Sequence, residues 1–143
     1  MGYTSRTVLF AGADTTDRGI LQYAQRQAGT SLKMIFMRTP AEVIAYLIGE
    51  GRFADRHLHP LPEILILDLL KPRMNRWELL DWLKARPELS HIQLCFIGAE
   101  DDRITLRKAK SHGRCFFTKP EDLESYKKLL LSLNAEKAAH ASH

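Results

Sequence analysis

Short apolar runs alternate with helix-like segments along this chain of 143 residues, and this alternation is the strongest constraint on its fold. The runs occupy residues 7–11, 32–37, 63–67, 92–97 and 115–117. Residues 64–67 read Ile-Leu-Ile-Leu, which is apolar on both faces, as a central parallel strand covered by helices on each side requires. Because right-handed crossovers place helices on both faces of a parallel sheet, the pattern predicts a three-layer α/β sandwich of (βα)5 type.

Capping signals mark the intervening helices. Thr39 and Glu42 have the spacing of a capping box at the start of the second helix. Helices are predicted over 17–28, 40–49, 77–87, 102–109 and 123–133. Residues 51–62 lack periodicity and are predicted to form an exposed connection, and residues 134–143 are expected to fray beyond a domain that covers 1–133.

Composition and charge exclude several classes of protein. Lys plus Arg is 21 and Asp plus Glu is 17, and a net charge of +4 is too small to predict nucleic-acid binding. No apolar run approaches the roughly 20 residues of a membrane span. Cys95 and Cys115 lack a metal-ligand spacing, which favours a reduced, cytoplasmic protein. His57 and His59 are expected to be solvated loop residues rather than metal ligands. Basic residues of the fourth helical segment are expected to be solvated or to face a protein partner: Arg103, Arg107, Lys108 and Lys110.

Polar residues follow the predicted strands where those strands end. Asp14 and Asp17 come after the first strand, Asp68 closes the third and Lys119 follows the fifth. Gly98, which has no side chain, follows the fourth. Ligands of open parallel sheets bind at this edge. A carboxylate at the end of a buried strand is costly unless it is paired or used, so Asp68 has either a functional role or a structural role as a cap. We expect Asp68 and Lys119 to form an ion pair across the sheet edge.

Three features together resemble the receiver domain of bacterial response regulators. They are Asp68 after Ile-Leu-Ile-Leu, the Lys-Pro-Arg-Met-Asn loop at 71–75, and Phe-Phe-Thr-Lys-Pro at 116–120. The resemblance extends over 7–133. It implies a CheY-like, flavodoxin-like fold with a five-stranded parallel sheet in the order 2-1-3-4-5.

The resemblance also implies roles for individual residues. Asp68 would accept a phosphoryl group from a sensor histidine kinase, Lys119 would contact the phosphate, and Phe116 would be the aromatic switch residue. Residues 46–47 and 53–56 look similar to single-domain receivers that partner bacterial phytochromes.

The chain departs from the receiver pattern at its acidic pocket. Gly12 and Ala13 stand where the family has two acidic residues that hold Mg²⁺, and Gly98 stands where it has Thr or Ser. Arg76 stands where the family usually has a glycine, directly after the Met-Asn pair at 74–75. The pocket therefore lacks both the acidic pair and the hydroxyl that couples phosphate to the switch.

Magnesium prefers oxygen ligands in near-octahedral geometry, and few remain here. They are Asp68 and the Leu70 carbonyl, with Asp14 either a surrogate ligand or the N-cap of the first helix. Lys71 and Arg73 shift the rim toward positive charge. We expect Mg²⁺ to bind weakly, if at all.

Two versions of a receiver function follow. In the favoured version, an atypical receiver has weak or no Mg²⁺-dependent phosphorylation, is not an enzyme, and acts by binding other proteins. In the alternative, Asp68 is a working phosphoacceptor that uses Asp14 as a surrogate metal ligand. The chain holds no predicted output domain, so the expected partners are a sensor histidine kinase or another signalling protein. A second copy is also expected to pair through helix four, strand five and helix five.

Two rival functions have less support. A flavodoxin-like cofactor binder would use the helix start at 15–16 to cradle phosphate, but Asp14 and Asp17 would repel it. A hydrolase that forms an aspartyl phosphate needs a second acid in the loop after Asp68, and residues 69–70 supply none.

Overall fold

The computed structural model of the chain describes residues 6–71, 76–99, 101–112 and 115–141. The strands are β1 (Thr7–Ala11), β2 (Lys33–Met37), β3 (Ile64–Asp68), β4 (Gln93–Gly98) and β5 (Cys115–Thr118). The helices are α1 (Thr15–Ala28), α2 (Pro40–Ile48), α3 (Arg76–Lys84), α4 (Arg103–His112) and α5 (Leu123–Ala141). Two short 3-10 turns lie at Gly51–Phe53 and Pro87–Leu89. The predicted alternation of strands and helices is confirmed.

The five strands form one parallel sheet in the order β2-β1-β3-β4-β5, which confirms the predicted fold. The central strand β3 is buried along its whole length, as its apolar character on both faces requires. Strand order reverses between β1 and β3. The carboxyl ends of these strands therefore border the crevice where parallel sheets bind ligands.

Helices cover both faces of the sheet and create two apolar cores. On one face, α1 and α5 pack against the sheet through Leu21, Ala24, Tyr126, Leu129, Leu130 and Leu133. On the other face, α2 and α3 pack through Val43, Tyr46, Leu47, Leu79 and Leu80. The sheet with its two helical layers is the predicted three-layer sandwich.

Helix α1 begins at Thr15, two residues before the predicted start, because Asp14 is its N-cap. The Asp14 carboxylate accepts a hydrogen bond from the Asp17 N–H at 2.8 Å, and the Asp17 carboxylate accepts one from the Asp14 N–H at 3.2 Å. This reciprocal box satisfies donors that a helix start otherwise leaves without partners. The predicted box of Thr39 and Glu42 caps α2 in the same way.

The connection between α2 and β3 is less exposed than predicted. Phe53 is buried, and the His59 ring packs edge-on against Phe53 and Tyr46, with ring centroids 5.3 and 6.0 Å away. The Arg56 guanidinium donates hydrogen bonds to the carbonyls of Tyr46 and Leu47 at 2.9 and 2.8 Å. These carbonyls end α2 and need such donors, so one arginine ties the connection to the helix. His59 is therefore half-buried rather than fully solvated, whereas His57 is exposed, as expected.

Helix α5 continues to Ala141, whereas we expected it to end near Leu133 and the following residues to fray. The residues after Asn134 include Ala, Glu and Lys, which are strong helix formers and favour continuation of the helix. Within the described part of the chain, none of the helices combines the length and apolar character needed to cross a bilayer.

Candidate functional site

The structure brings Asp68 and Lys119 together at the carboxyl edge of the sheet. Asp68 ends β3 with only 6% of its surface exposed, and the Lys119 Nζ lies 2.8 Å from its Oδ2. The other carboxylate oxygen of Asp68 accepts a hydrogen bond from the Leu70 N–H at 3.0 Å. The backbone N–H of Lys119 donates to the Gly98 carbonyl at 2.9 Å, which anchors the lysine next to the end of β4. The buried carboxylate is thus both paired and hydrogen-bonded, as burial of a charge requires.

A second lysine and two further carboxylates extend this pair. Asp17, buried in the first turn of α1, lies 3.5 Å from the Lys119 Nζ through Oδ1 and 2.7 Å from the Lys71 Nζ through Oδ2. The Lys71 ammonium also lies 3.1 Å from Asp14 Oδ2. Carboxylates and ammonium groups therefore alternate in the order Asp14, Lys71, Asp17, Lys119, Asp68, which we call the ion chain. Its three carboxylates and two ammonium groups give it a formal charge of −1.

Contacts within the ion chain favour the charged forms of Lys71, Lys119 and Asp14. Burial disfavours the charge on Lys71, but hydrogen bonds to Asp17 and Asp14 outweigh burial and raise its pKa to about 12. Burial likewise opposes the charge on Lys119, and the hydrogen bond to Asp68 outweighs it, so this pKa is also raised. The Asp17 N–H and then the Lys71 ammonium lower the pKa of Asp14 to about 2. Near neutral pH, both ammonium groups and the Asp14 carboxylate are ionised.

The residues at this edge do not fit a magnesium ion. Gly12 has no side chain, and the Ala13 methyl is buried in the core between the sheet and α1. Both Asp14 oxygens are engaged, one by the N–H at position 17 and the other by Lys71. In the ranges that the structure describes, three or more His, Cys, Asp or Glu side chains never gather in a metal-binding arrangement. Asp14 acts as the helix cap and as an ion partner, which leaves it poorly placed as a surrogate ligand.

Position 98 faces the ring of Phe116. A Cβ at Gly98 would lie 2.8 Å from the Cζ and 3.1 Å from the Cε2 of Phe116. Carbon atoms in contact are about 3.5 to 4.0 Å apart, so the ring occupies the space that a side chain at 98 would need. Phe116 is half-buried and packs against the core between the sheet, α2 and α3.

Sequence reasoning assigned Asp68 and Lys119 to one site but missed the parts of Asp17 and Lys71. The sequence places Asp17 only among the polar residues after β1 and Lys71 only among the positive charges of the loop after β3. The Asp-x-x-Asp spacing of the helix start was the available signal, because a capping box turns the second carboxylate back toward the N-cap. Of the other predicted rim charges, Arg73 and the side chain of Arg76 lie outside the described residues.

The cavity beside the ion chain is small. It measures about 20 Å³ and is lined in part by Asp17, Asp68, Lys119 and Tyr126. This is room for about one water molecule, whereas sites for organic ligands measure roughly 300 to 1,000 Å³. A flavin or similar cofactor does not fit at this position, which counts against the flavodoxin-like cofactor binder.

Comparisons with known proteins point to one class. No protein-family model matches the chain. The response regulator Rcp1 of Synechocystis sp. is 23% identical over 133 residues, covering 91% of this chain and 87% of the relative. The crystal structure of response regulator RPA3017, in red light signalling of R. palustris, is 27% identical with a TM-score of 0.83 and covers 91% and 92% of the two chains. The phosphorylated cyanobacterial phytochrome response regulator RcpA shares the fold at 20% identity, with a TM-score of 0.76 and coverage of 92% and 93%.

Proposed function

We propose that this chain, which is a response-regulator receiver domain, signals in a two-component system by contact with other proteins and is phosphorylated weakly or not at all with Mg²⁺. The observation that carries the proposal is the buried pair of Asp68 and Lys119, 2.8 Å apart at the carboxyl end of the central strand. In this proposal Asp68 occupies the phosphoacceptor position and Lys119 the phosphate-contacting position. Phe116 is the proposed switch aromatic.

The expected weakness of phosphorylation follows from the charges in the pocket. Phosphoryl transfer depends on positioning and on neutralising the charge of the transferred group, which a divalent metal normally does. Carboxylates are absent at Gly12 and Ala13, and Asp14 is committed to the helix cap and to Lys71. Among the described residues, the positive group paired with Asp68 is the Lys119 ammonium, 2.8 Å away. This arrangement also argues against a working phosphoacceptor that recruits Asp14 as a metal ligand.

The proposed upstream partner is a phytochrome-type sensor kinase. The similar structures include response regulators described in red-light or phytochrome signalling. The packed connection after α2, with Phe53 and Arg56 tied to the helix end, contains the residues that look similar to phytochrome-partner receivers. The proposed face for a downstream protein or a second copy is α4, β5 and α5, where β5 is an edge strand and a groove beside α5 is lined by Phe117, Ser125 and Lys128.

The first test is chemical modification of Asp68. The wild-type chain is incubated with acetyl phosphate and Mg²⁺, with and without EDTA, and its intact mass is measured beside that of Asp68→Asn. We expect only a small fraction of chains to gain a phosphoryl group, with little dependence on Mg²⁺. Stoichiometric, Mg²⁺-dependent modification that Asp68→Asn abolishes would contradict the atypical pocket and favour the working phosphoacceptor.

The unmodified wild-type chain is also used to test the proposed kinase partner. We expect the unmodified chain to bind a purified bacterial phytochrome histidine kinase in a titration followed by calorimetry. Absence of binding in both light states of the kinase would contradict the proposed partner, whatever the outcome at Asp68.

A further inference from the structure

Lys71 occupies space that a side chain at position 12 would need. A Cβ built on Gly12 would lie 3.2 Å from the Lys71 Cγ and 3.3 Å from the Asp68 Cβ. Gly12 has a φ of +101°, a conformation that other residues rarely adopt. A side chain at position 12 would therefore crowd the aliphatic stem of Lys71, which would have to shift by a few tenths of an ångström, and it would strain the backbone.

The ammonium end of Lys71 lies between two carboxylates. Its Nζ is 2.7 Å from Asp17 Oδ2 and 3.1 Å from Asp14 Oδ2, and its side chain is 24% exposed. A divalent cation brought to the same oxygens would meet a fixed positive charge a few ångströms away, which is unfavourable at short range. A lysine ammonium carries its positive charge at neutral pH without any special environment.

We infer that Lys71 is a built-in cation that neutralises Asp14 and Asp17 and keeps divalent metals out of the pocket. Gly12 is its structural counterpart, because the absent side chain leaves room for the lysine stem. The inference rests on the proposed function in that it concerns the same pocket around Asp68. It goes beyond that function because it assigns metal exclusion to one side chain rather than only to missing carboxylates.

The test is metal binding without any phosphodonor. Mn²⁺ is titrated into the wild-type chain and into Lys71→Met, which keeps an apolar stem but removes the charge, and free Mn²⁺ is followed by electron paramagnetic resonance. We expect saturable binding to Lys71→Met that is at least about tenfold tighter than binding to the wild type, because the two carboxylates then lack their cation. Mg²⁺ should compete for the same site.

Lys127→Met is the matched control. The Lys127 side chain is 26% exposed and its Nζ lies 3.2 Å from Glu124 Oε1, so it is a paired lysine of similar exposure outside the ion chain. We expect it to bind Mn²⁺ no more tightly than the wild type. If Lys127→Met gains as much Mn²⁺ affinity as Lys71→Met, the inference is overturned. It is also overturned if Lys71→Met binds Mn²⁺ no more tightly than the wild type.

If Lys71→Met does not fold, Lys71→Gln provides the same loss of charge with a polar end, and the same outcomes apply to it. The result is separable from the proposed function. Mn²⁺ binding that follows the charge at position 71 supports the inference even if Asp68 proves to be phosphorylated without metal. Failure of Lys71→Met to gain affinity rejects the inference and leaves weak phosphorylation and kinase binding to be decided by their own measurements.

Discussion

At the scale of single residues, the ring of Phe116 occupies the space that a side chain at Gly98 would need. With the ring 2.8 Å from a Cβ at 98, a larger residue there forces either the ring or the end of β4 to move. The Phe116 ring thus lies against the position where the receiver pattern has Thr or Ser. Phe116 is held by packing in this chain, without any hydroxyl at position 98.

Gly98→Ala is expected to lower the free energy of unfolding by about 1 to 3 kcal/mol, the usual cost of overpacking a core. The measurement is urea denaturation of Gly98→Ala, Phe116→Leu and the double variant. We expect a favourable coupling of about 0.5 to 3 kcal/mol, because the shorter Leu relieves the contact.

Gly19→Ala is the control for this prediction. Gly19 lies inside α1 and a Cβ there meets nothing within 4 Å, so the substitution should stabilise by about 0.5 to 1 kcal/mol through helix propensity. If Gly98→Ala and Gly19→Ala change the free energy of unfolding equally, the ring does not occupy the space next to Gly98. The same conclusion follows if the effects of Gly98→Ala and Phe116→Leu are strictly additive.

At the scale of elements, the end of α2 depends on a residue from the connection that follows it. Gly49 caps the helix with a φ of +72°, and a Cβ at this position would lie 2.9 Å from a guanidinium nitrogen of Arg56. Arg56 also donates to the His59 carbonyl at 3.0 Å, so it links the helix end to the return of the chain toward β3. Helix, turn and connection therefore form one packed unit.

Arg56→Met is expected to cost about 2 kcal/mol of stability, because hydrogen bonds to charged groups contribute roughly 1.5 to 3 kcal/mol and the helix end also loses a favourable cation. Thermal or urea unfolding measures the loss. Arg107→Met, an exposed arginine on α4, removes the same charge and should change stability by less than about 0.5 kcal/mol. A loss of similar size in both variants would indicate an effect of net charge rather than of the helix end.

At the scale of the whole molecule, the ion chain joins α1, the end of β3 and the end of β5. Asp14 and Asp17 belong to the start of α1, and Asp68 and Lys119 belong to the sheet edge. Its charges link elements that are far apart in sequence. Loss of charge at one member therefore affects the stability of the fold as a whole, and pH is the means to produce that loss.

The contribution of the Asp14 charge to stability can be tested by lowering the pH. Its folded pKa of about 2 lies below the ordinary value of 3.8, so its contribution is present above that value and is lost as pH falls through the folded pKa. Asp14→Asn keeps an efficient N-cap but removes the charge. The excess stability of the wild type over Asp14→Asn should be constant near neutral pH and should shrink as pH falls from about 4 to about 2.

Urea denaturation at a series of pH values measures this difference. Asp81→Asn, an exposed carboxyl on α3 outside the ion chain, is the comparison and should show a smaller dependence. A difference between wild type and Asp14→Asn that stays unchanged down to pH 2 would mean that the charge at position 14 does not stabilise the fold.

The predicted parallel sheet and the pairing of Asp68 with Lys119 required only sequence information. Hydrophobic periodicity and capping residues are local signals, and the carboxyl ends of parallel strands meet at one edge whatever the detailed packing. The end of α5, at Ala141 rather than near Leu133, and the burial of Phe53 in the connection after α2 were not predicted. Local composition does not report that one arginine and a cluster of rings hold a loop against a helix.

The sequence by itself determined the order of elements, the central strand and the place of the Asp68 carboxylate, because each depends on neighbours along the chain. Only the tertiary structure decided that Asp17 and Lys71 enter the pocket, that Asp14 is paired with Lys71, and that the Phe116 ring faces Gly98. These contacts join residues from different elements over distances of a few ångströms. Their geometry depends on how α1, the loop after β3 and the end of β5 pack together, and no periodicity within a single segment encodes it.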